Sequence, residues 1–312
     1  MAKRAIEKTG TFRRTLARVM RPSSQRSTPQ AEVVVGFAPI VLASLQPDSV
    51  QTTITSPPYY RQKDYHHNQQ IGWESSVEKY VETMREILAQ LWRVTTPSGC
   101  CFMVVGDTYI NKSLQLVPQR LAIAACECGW TLRNDLIWAK TDAAPDGAAD
   151  RWRFSHEHIL FLTKSARGYK FNADEIRVPY SPVTLRRWAA GQKYGGAKAK
   201  TESGPQGQRF KLGKTFTLNA KGTIARDVIE CATARSKLDH FATFPIELIE
   251  RFILATTDRG DVVLDPFAGT ATTGVAALRH DRRFVGIELN PQYASIARTR
   301  LAASQTEDAR AA

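Results

Sequence analysis

The chain has 312 residues and carries 43 Lys and Arg against 30 Asp and Glu, a formal charge of +13. With 43% hydrophobic and 23% charged residues the composition excludes a disordered or fibrous chain. No apolar run approaches the ~20 residues of a membrane helix; the best candidate, Val33 to Leu45, is short and interrupted by Gly36 and Pro39.

Residues 1–30 form a basic segment in which Glu7 is the only acid. Its Pro and Ser content predicts a flexible arm, and no apolar stretch follows it to make a secretory leader, so a cytoplasmic location is expected. Val50 to Ile54 is a short β-branched run that stops at Thr55-Ser56-Pro57-Pro58-Tyr59-Tyr60. Val77 to Val94 has helical spacing, with Tyr80, Met84, Ile87, Leu88 and Leu91 on one face. Pro97-Ser98-Gly99 breaks it, and Cys101 to Val105 reads as a buried strand ending at Gly106-Asp107. Leu114 to Cys128 predicts a second helix closed by Gly129; Trp130 to Trp138 and His158 to Thr163 predict strands.

Periodicity is lost from Lys164 to Lys237, where basic residues dominate and Glu202 is the only acid between Arg177 and Arg226. This stretch reads as a separate, loop-rich basic module. Such charge suits a polyanion, because each cation that neutralises a phosphate releases a counterion. Regular patterning returns with a helix from Phe244 to Ala255, Pro245 in its first turn. A strand Asp261 to Asp265, a helix through Leu278, a strand Arg283 to Glu288 and a helix Tyr293 to Leu301 follow. The alternation predicts an α/β fold with a Rossmann-like, mostly parallel, doubly wound sheet. The five cysteines (Cys100, Cys101, Cys126, Cys128 and Cys231) lack disulfide or metal spacing and read as small buried thiols.

Two constellations carry chemistry. Asp265-Pro266-Phe267-Ala268-Gly269-Thr270 turns from a strand into a helix, and Glu288 closes the next strand about twenty residues beyond Gly269. That layout binds nucleosides, with the acid accepting ribose hydroxyls. The loop lacks the G-x-G-x-x-G of a pyrophosphate site, which disfavours an NAD-type oxidoreductase, and Asp265 favours a ligand with a cationic group. The second constellation is Ser56-Pro57-Pro58-Tyr59, where two prolines fix φ and hold a carbonyl, a hydroxyl and a ring at the sheet's carboxyl edge.

Together these segments resemble the S-adenosylmethionine-dependent, amino-directed DNA methyltransferases in their permuted β arrangement. Ile54 to Tyr59 is similar to the family's catalytic motif in its serine form, Leu264 to Thr273 to its cofactor loop, and His240 to Pro245 to the motif preceding that loop. Trp130 to Trp138 and Ser155 to His158 are similar to further family segments. The resemblance covers roughly residues 33–301, with a gap over the basic module. It departs from the family at Thr270-Ala271, where Ser-Gly is usual, and at Gly36-Phe37, where Gly-Asp is usual.

The resemblance implies catalytic roles for Ser56, Pro57, Pro58 and Tyr59 and S-adenosylmethionine as cofactor. It implies cofactor contacts from Asp265, Phe267, Gly269, Thr270, Thr272, Thr273, Glu288, Phe241, Phe244 and Pro245. Double-stranded DNA is the expected partner, contacted through Arg186, Arg187, Lys193, Lys198, Lys200, Arg209 and Lys211, with the base flipped out of the helix. Asp107, His156 and Glu157 also look like site residues, or else structural polar groups. A homodimer is compatible with the resemblance, and the expected chemistry needs no metal. Serine before Pro-Pro-Tyr implies N4 of cytosine ahead of N6 of adenine; an RNA amino-methyltransferase and a catalytically dead DNA-binding protein are the remaining alternatives. The expected organisation is a basic arm (1–30), a catalytic half (31–163), a basic target-recognition insert (164–237), a cofactor half (238–302) and a tail (303–312).

Overall fold

A computed structural model describes residues 30–64, 69–190, 218–234 and 244–311, with side chains to 306. Strand β1 (Ala31–Val35) leads into α1 (Ala38–Ser44), whose first turn accommodates Pro39. Strand β2 (Val50–Thr55) is buried along its whole length. The spacing read in the sequence becomes α2 (Val77–Val94), started by the Ser76 hydroxyl, which accepts the Lys79 N–H at 3.3 Å. Its apolar stripe, Tyr80, Met84, Ile87, Leu88 and Leu91, is fully buried.

Strand β3 (Thr95–Val105) follows at once, so Pro97-Ser98-Gly99 opens a long strand where a break was expected. Next, β4 (Tyr109–Ile110) and β5 (Ser113–Leu114) form a small hairpin. That hairpin delays α3 (Val117–Glu127), expected from Leu114: Leu116 turns left-handed at φ 56°, and Pro118 sits in the first turn. Strands β6 (Thr131–Lys140) and β7 (His156–Thr163) are each two residues longer at the loop between them than the pattern suggested.

Residues 173–226 make a compact unit of their own. Its described residues hold a 3-10 turn, Ala173–Ile176, and α4 (Pro182–Ala189), capped by the Ser181 hydroxyl. Arg177 closes it, donating to Asp174 at 2.6 Å and to the Gly222 carbonyl at 2.9 Å.

The rest of the chain returns to the main unit. Strand β8 (Val228–Cys231) pairs in parallel with β6, although the sequence placed this stretch in the basic module. Lys164 and Lys170, assigned to the same module, are held in the main unit by Asp48 (2.5 Å) and by Asp258 and Asp261 (2.6 and 3.1 Å). Helix α5 (Ile246–Thr256) starts after Pro245, which caps it in an extended conformation and so lies outside the first turn. Strand β9 (Val262–Asp265), α6 (Thr272–Arg279), β10 (Arg283–Glu288) and α7 (Pro291–Ala311) complete the unit. The last helix thus takes in the stretch expected to be a tail.

The sheet order is β1-β10-β9-β2-β3-β7-β6-β8. All pairs are parallel except β3–β7 and β6–β7. One core lies under α1, α2 and α3, the other under α5, α6 and α7. From β9 the chain winds outward to β10, and from β2 outward to β3 on the other side. The crevice beyond the carboxyl ends of β9 and β2 is therefore the switch point at which open α/β sheets bind ligands. Both constellations read in the sequence start there. Among the described residues no helix is long and apolar enough to cross a membrane.

Candidate active site

At the end of β2 the two prolines make a fixed corner, which the Tyr80 hydroxyl anchors by donating to the Pro58 carbonyl at 3.0 Å. Ser56 Oγ donates to Tyr59 Oη at 3.0 Å, and Tyr59 donates to Glu157 Oε2 at 2.6 Å. Lys140 Nζ holds the other Glu157 oxygen at 2.5 Å. Burial, then the adjacent Glu157 charge, pushes the Tyr59 phenol well above 10. Tyr59 thus keeps its proton, spends it on Glu157, and takes the Ser56 proton on its oxygen. The lone pairs of Ser56 Oγ are left as acceptors. Gly106 is required for this placement, since a Cβ there would lie 2.8 Å from a Tyr59 ring carbon.

Across the crevice, Asp265 is buried at the end of β9. It accepts the Thr55 hydroxyl (2.7 Å), the Thr273 hydroxyl (2.8 Å) and the Phe267 N–H (3.1 Å). Burial outweighs these bonds and lifts its pKa to about 6. The turn after it runs through Gly269 at φ 52° and Ala271 at φ 62°. The left-handed conformation costs an L-residue about 1–2 kcal/mol, so this Ala271 keeps a backbone that glycine adopts freely. Glu288 braces the turn, one oxygen accepting the Gly269 N–H and the other the Asn290 N–H, each at 2.8 Å. Each oxygen retains a lone pair for a ligand hydroxyl. Burial pushes the Glu288 carboxyl upward. Arg300 fixes Thr270 through both its carbonyl (2.7 Å) and its hydroxyl (2.6 Å).

A cavity of about 620 Å³ joins the two walls, a size typical of small-molecule sites. Ser56, Pro57, Pro58 and Tyr59 line it, as do Asp265, Phe267, Gly269, Thr270, Thr272, Glu288 and Phe244. Two expected contacts stand behind the wall: Thr273 is fully buried and spends its hydroxyl on Asp265, and Pro245 is buried as the cap of α5. Phe241 lies outside the described residues, together with Lys193, Lys198, Lys200, Arg209 and Lys211. Arg186 and Arg187 are exposed on α4.

Of the three residues left open between site and scaffold, only Glu157 lines the cavity. Asp107 accepts the N–H groups of Thr108 and Val117 and so caps α3. His156 points from the other face of β7, where it packs against Phe154 and His158. The sequence reading missed Lys140 and Trp138, because Lys140 was placed beyond the end of its strand. A lysine two residues after a tryptophan in a β-run, hence on the same face, was the available signal. Among the cysteines, burial lifts Cys100 to about 12 and Cys101 higher still, whereas Cys126 is exposed and Cys128 and Cys231 are half-buried, so buried thiols describe only two of the five.

The site thus pairs a serine acceptor corner with a carboxylate-braced nucleoside turn across the sheet's switch point. The family described as DNA methylase matches residues 50–299 of this chain. The type II methyltransferase M.Cfr9I of Citrobacter freundii is 33% identical over 305 residues, covering 88% of this chain and 89% of that protein. Among solved structures, the Thermus thermophilus protein TTHA0409 in complex with S-adenosyl-L-methionine is 26% identical, with a TM-score of 0.58 over 88% of this chain and 94% of that one. The cytosine-N4-specific PvuII DNA methyltransferase, at 18% identity, shares the fold, with a TM-score of 0.62 over 90% of this chain and 93% of that one. The chain belongs to the DNA methylase family. It is an S-adenosylmethionine-dependent DNA methyltransferase of the group that modifies exocyclic amino nitrogens.

The cavity suits that cofactor. Glu157 is paired with Lys140, which leaves Asp265 and Glu288 as the lining carboxylates that favour a cationic ligand. At Gly269 a Cβ would meet nothing within 4 Å, so the turn leaves room for close approach.

Proposed function

We propose that the enzyme methylates N4 of cytosine in duplex DNA after flipping the base into the cavity beside Tyr59. The observation that carries this reading is the directed chain Ser56 to Tyr59 to Glu157, which leaves Ser56 Oγ an acceptor at the cavity wall. An exocyclic amine is a poor nucleophile because its lone pair is delocalised into the ring. In our reading its two N–H groups donate to Ser56 Oγ and the Pro57 carbonyl, which turns the nitrogen toward sp³ geometry and aims its lone pair at the cofactor. Positioning of this kind is a large catalytic term.

Bound S-adenosylmethionine supplies the electrophilic methyl group. Glu288 holds the ribose hydroxyls, and Asp265 offsets the cofactor's positive charge from the floor of the site. The methylated amine, now cationic, gives one proton to Ser56 Oγ; Ser56 passes its own to Tyr59, and Tyr59 passes its own to Glu157. Lys140 keeps Glu157 in place throughout. Arg186 and Arg187 contact DNA phosphates. The serine form of the motif supports cytosine, and N6 of adenine is the competing assignment.

Hydrolysis of DNA methylated by the enzyme, with mass spectrometry of the nucleosides, tests the reading. N4-methylcytosine is expected. N6-methyladenine as sole product overturns the base assignment, and 5-methylcytosine overturns the mechanism as well.

A further inference from the structure

The loop between β6 and β7 joins two cavity-lining residues, Lys140 at the end of one strand and Glu157 near the start of the other. It therefore leaves from the sheet's carboxyl edge, the edge at which both constellations lie, and none of its own residues lines the cavity. At its far side Trp152 is 94% exposed, against 40% for Trp73 and 50% for Trp188. A scattered exposed apolar residue needs no explanation by itself. Trp152 differs because the backbone on both sides of it is pinned.

Asp146 accepts the N–H groups of Ala148 (3.1 Å) and Phe154 (3.3 Å) and the Arg151 guanidinium (2.8 Å). Arg151 lies 4.0 Å above the Tyr109 ring, and Lys112 pairs with Asp150 at 2.6 Å. At the base, the Lys140 N–H donates to the Ser155 carbonyl at 2.9 Å. A braced loop thus presents the largest flat apolar side chain outward, between Arg151 and an exposed Arg153. Tryptophan next to the exposed Arg153 is suited to a stacked base with a phosphate beside it.

We propose that Trp152 is a DNA wedge: it enters the base stack from the sheet's carboxyl edge and fills the space vacated by the target base. This rests on the base-flipping reading above. Apolar side chains that part base steps are a general means of distorting a duplex. The wedge lowers the cost of extrusion, and the exposed Arg153 neutralises a phosphate that borders the opened step.

Once base-resolved mapping of methylated DNA has located the target site, the test compares wild type, Trp152→Ala and Trp152→Phe on duplexes built around it, with the target base either paired or placed opposite an abasic position. Base–aromatic stacking predicts a 10- to 100-fold loss of single-turnover rate for Trp152→Ala on the paired duplex. Most of that loss should be regained on the abasic duplex, where extrusion is already cheap. Trp152→Phe should retain most activity, and S-adenosylmethionine titrations should show all three proteins folded with equal affinity. An undiminished rate on the paired duplex, or an equal loss on both duplexes, overturns the wedge. A fluorescent base analogue at the target position separates the two layers of the argument. No signal with wild type refutes flipping itself, whereas equal signal and rate for wild type and Trp152→Ala refute the wedge alone.

Discussion

Asp265 costs the free enzyme stability, and Asp265→Asn measures how much. The carboxyl is raised from 3.8 to about 6 by burial, so its contribution to stability is fully present below pH 3.8 and lost as pH rises through about 6. Burying it costs about 3 kcal/mol at pH 8, where it is ionised, and about half as much at pH 5, where the native carboxyl is mostly protonated. Asparagine fits the same bonds: its oxygen can accept from Thr55 and Phe267, and its amide can donate to Thr273 Oγ1, whose proton can turn to the Ile54 carbonyl 3.4 Å away. The variant should therefore be the more stable protein without cofactor. With about 2.1 cal/mol/K of unfolding entropy per residue, the gain is about 5 °C in Tm at pH 8. Calorimetry at pH 8 and pH 5 reads it, and the gain should fall to about half at the lower pH. Titration with S-adenosylmethionine should show the opposite sign, a loss of about one to two decades, from removal of a charge that faces a cation. A variant less stable than wild type at pH 8, or a difference indifferent to pH, would refute the argument that burial dominates at Asp265.

Other outcomes follow from the same geometry. Ser56→Asp places a second carboxylate on Tyr59, whose one proton is already given to Glu157; kcat should fall about 10- to 100-fold with cofactor affinity unchanged, and single-turnover assays with cofactor titration check both. Glu288→Gln keeps an acceptor for one of the two backbone N–H groups at 2.8 Å but weakens the ribose contact, so S-adenosylmethionine affinity should drop about tenfold or more while DNA binding without cofactor persists. Neutralising Arg186 and Arg187 should lower DNA affinity and reduce the slope of log K against log salt by about 1–2; an unchanged slope would show that α4 does not contact phosphates.

Where local pattern decided the structure, the sequence was legible. The α2 stripe and the β10 run repeat a single geometry over many residues, and both form at the predicted ends. Where a distant partner decided it, the sequence misled. Strand β8 has four residues, and only pairing with β6 makes it a strand, so charge on either side of it dominated the reading. Lys164 and Lys170 count with the basic module until the fold brings Asp48, Asp258 and Asp261 to them.

The same divide runs through the site. The Ser56–Tyr59 corner and the Asp265–Thr270 turn are each contiguous in sequence, and both were visible as segments that meet at one cavity. What joins corner to cavity is not contiguous: Glu157 meets Tyr59 because β7 pairs with β3, and Lys140 meets Glu157 because β6 sets Trp138 opposite it. That register makes serine at position 56 an acceptor. A hydroxyl has one proton to give, Tyr59 Oη takes it, and the Tyr59 proton is held by a carboxylate that Lys140 keeps in place. An aspartate at 56 would leave two carboxylates competing for one phenolic proton. The serine form of the motif and the Glu157–Lys140 pair are therefore one device, whose halves lie 101 residues apart in the chain between Ser56 and Glu157.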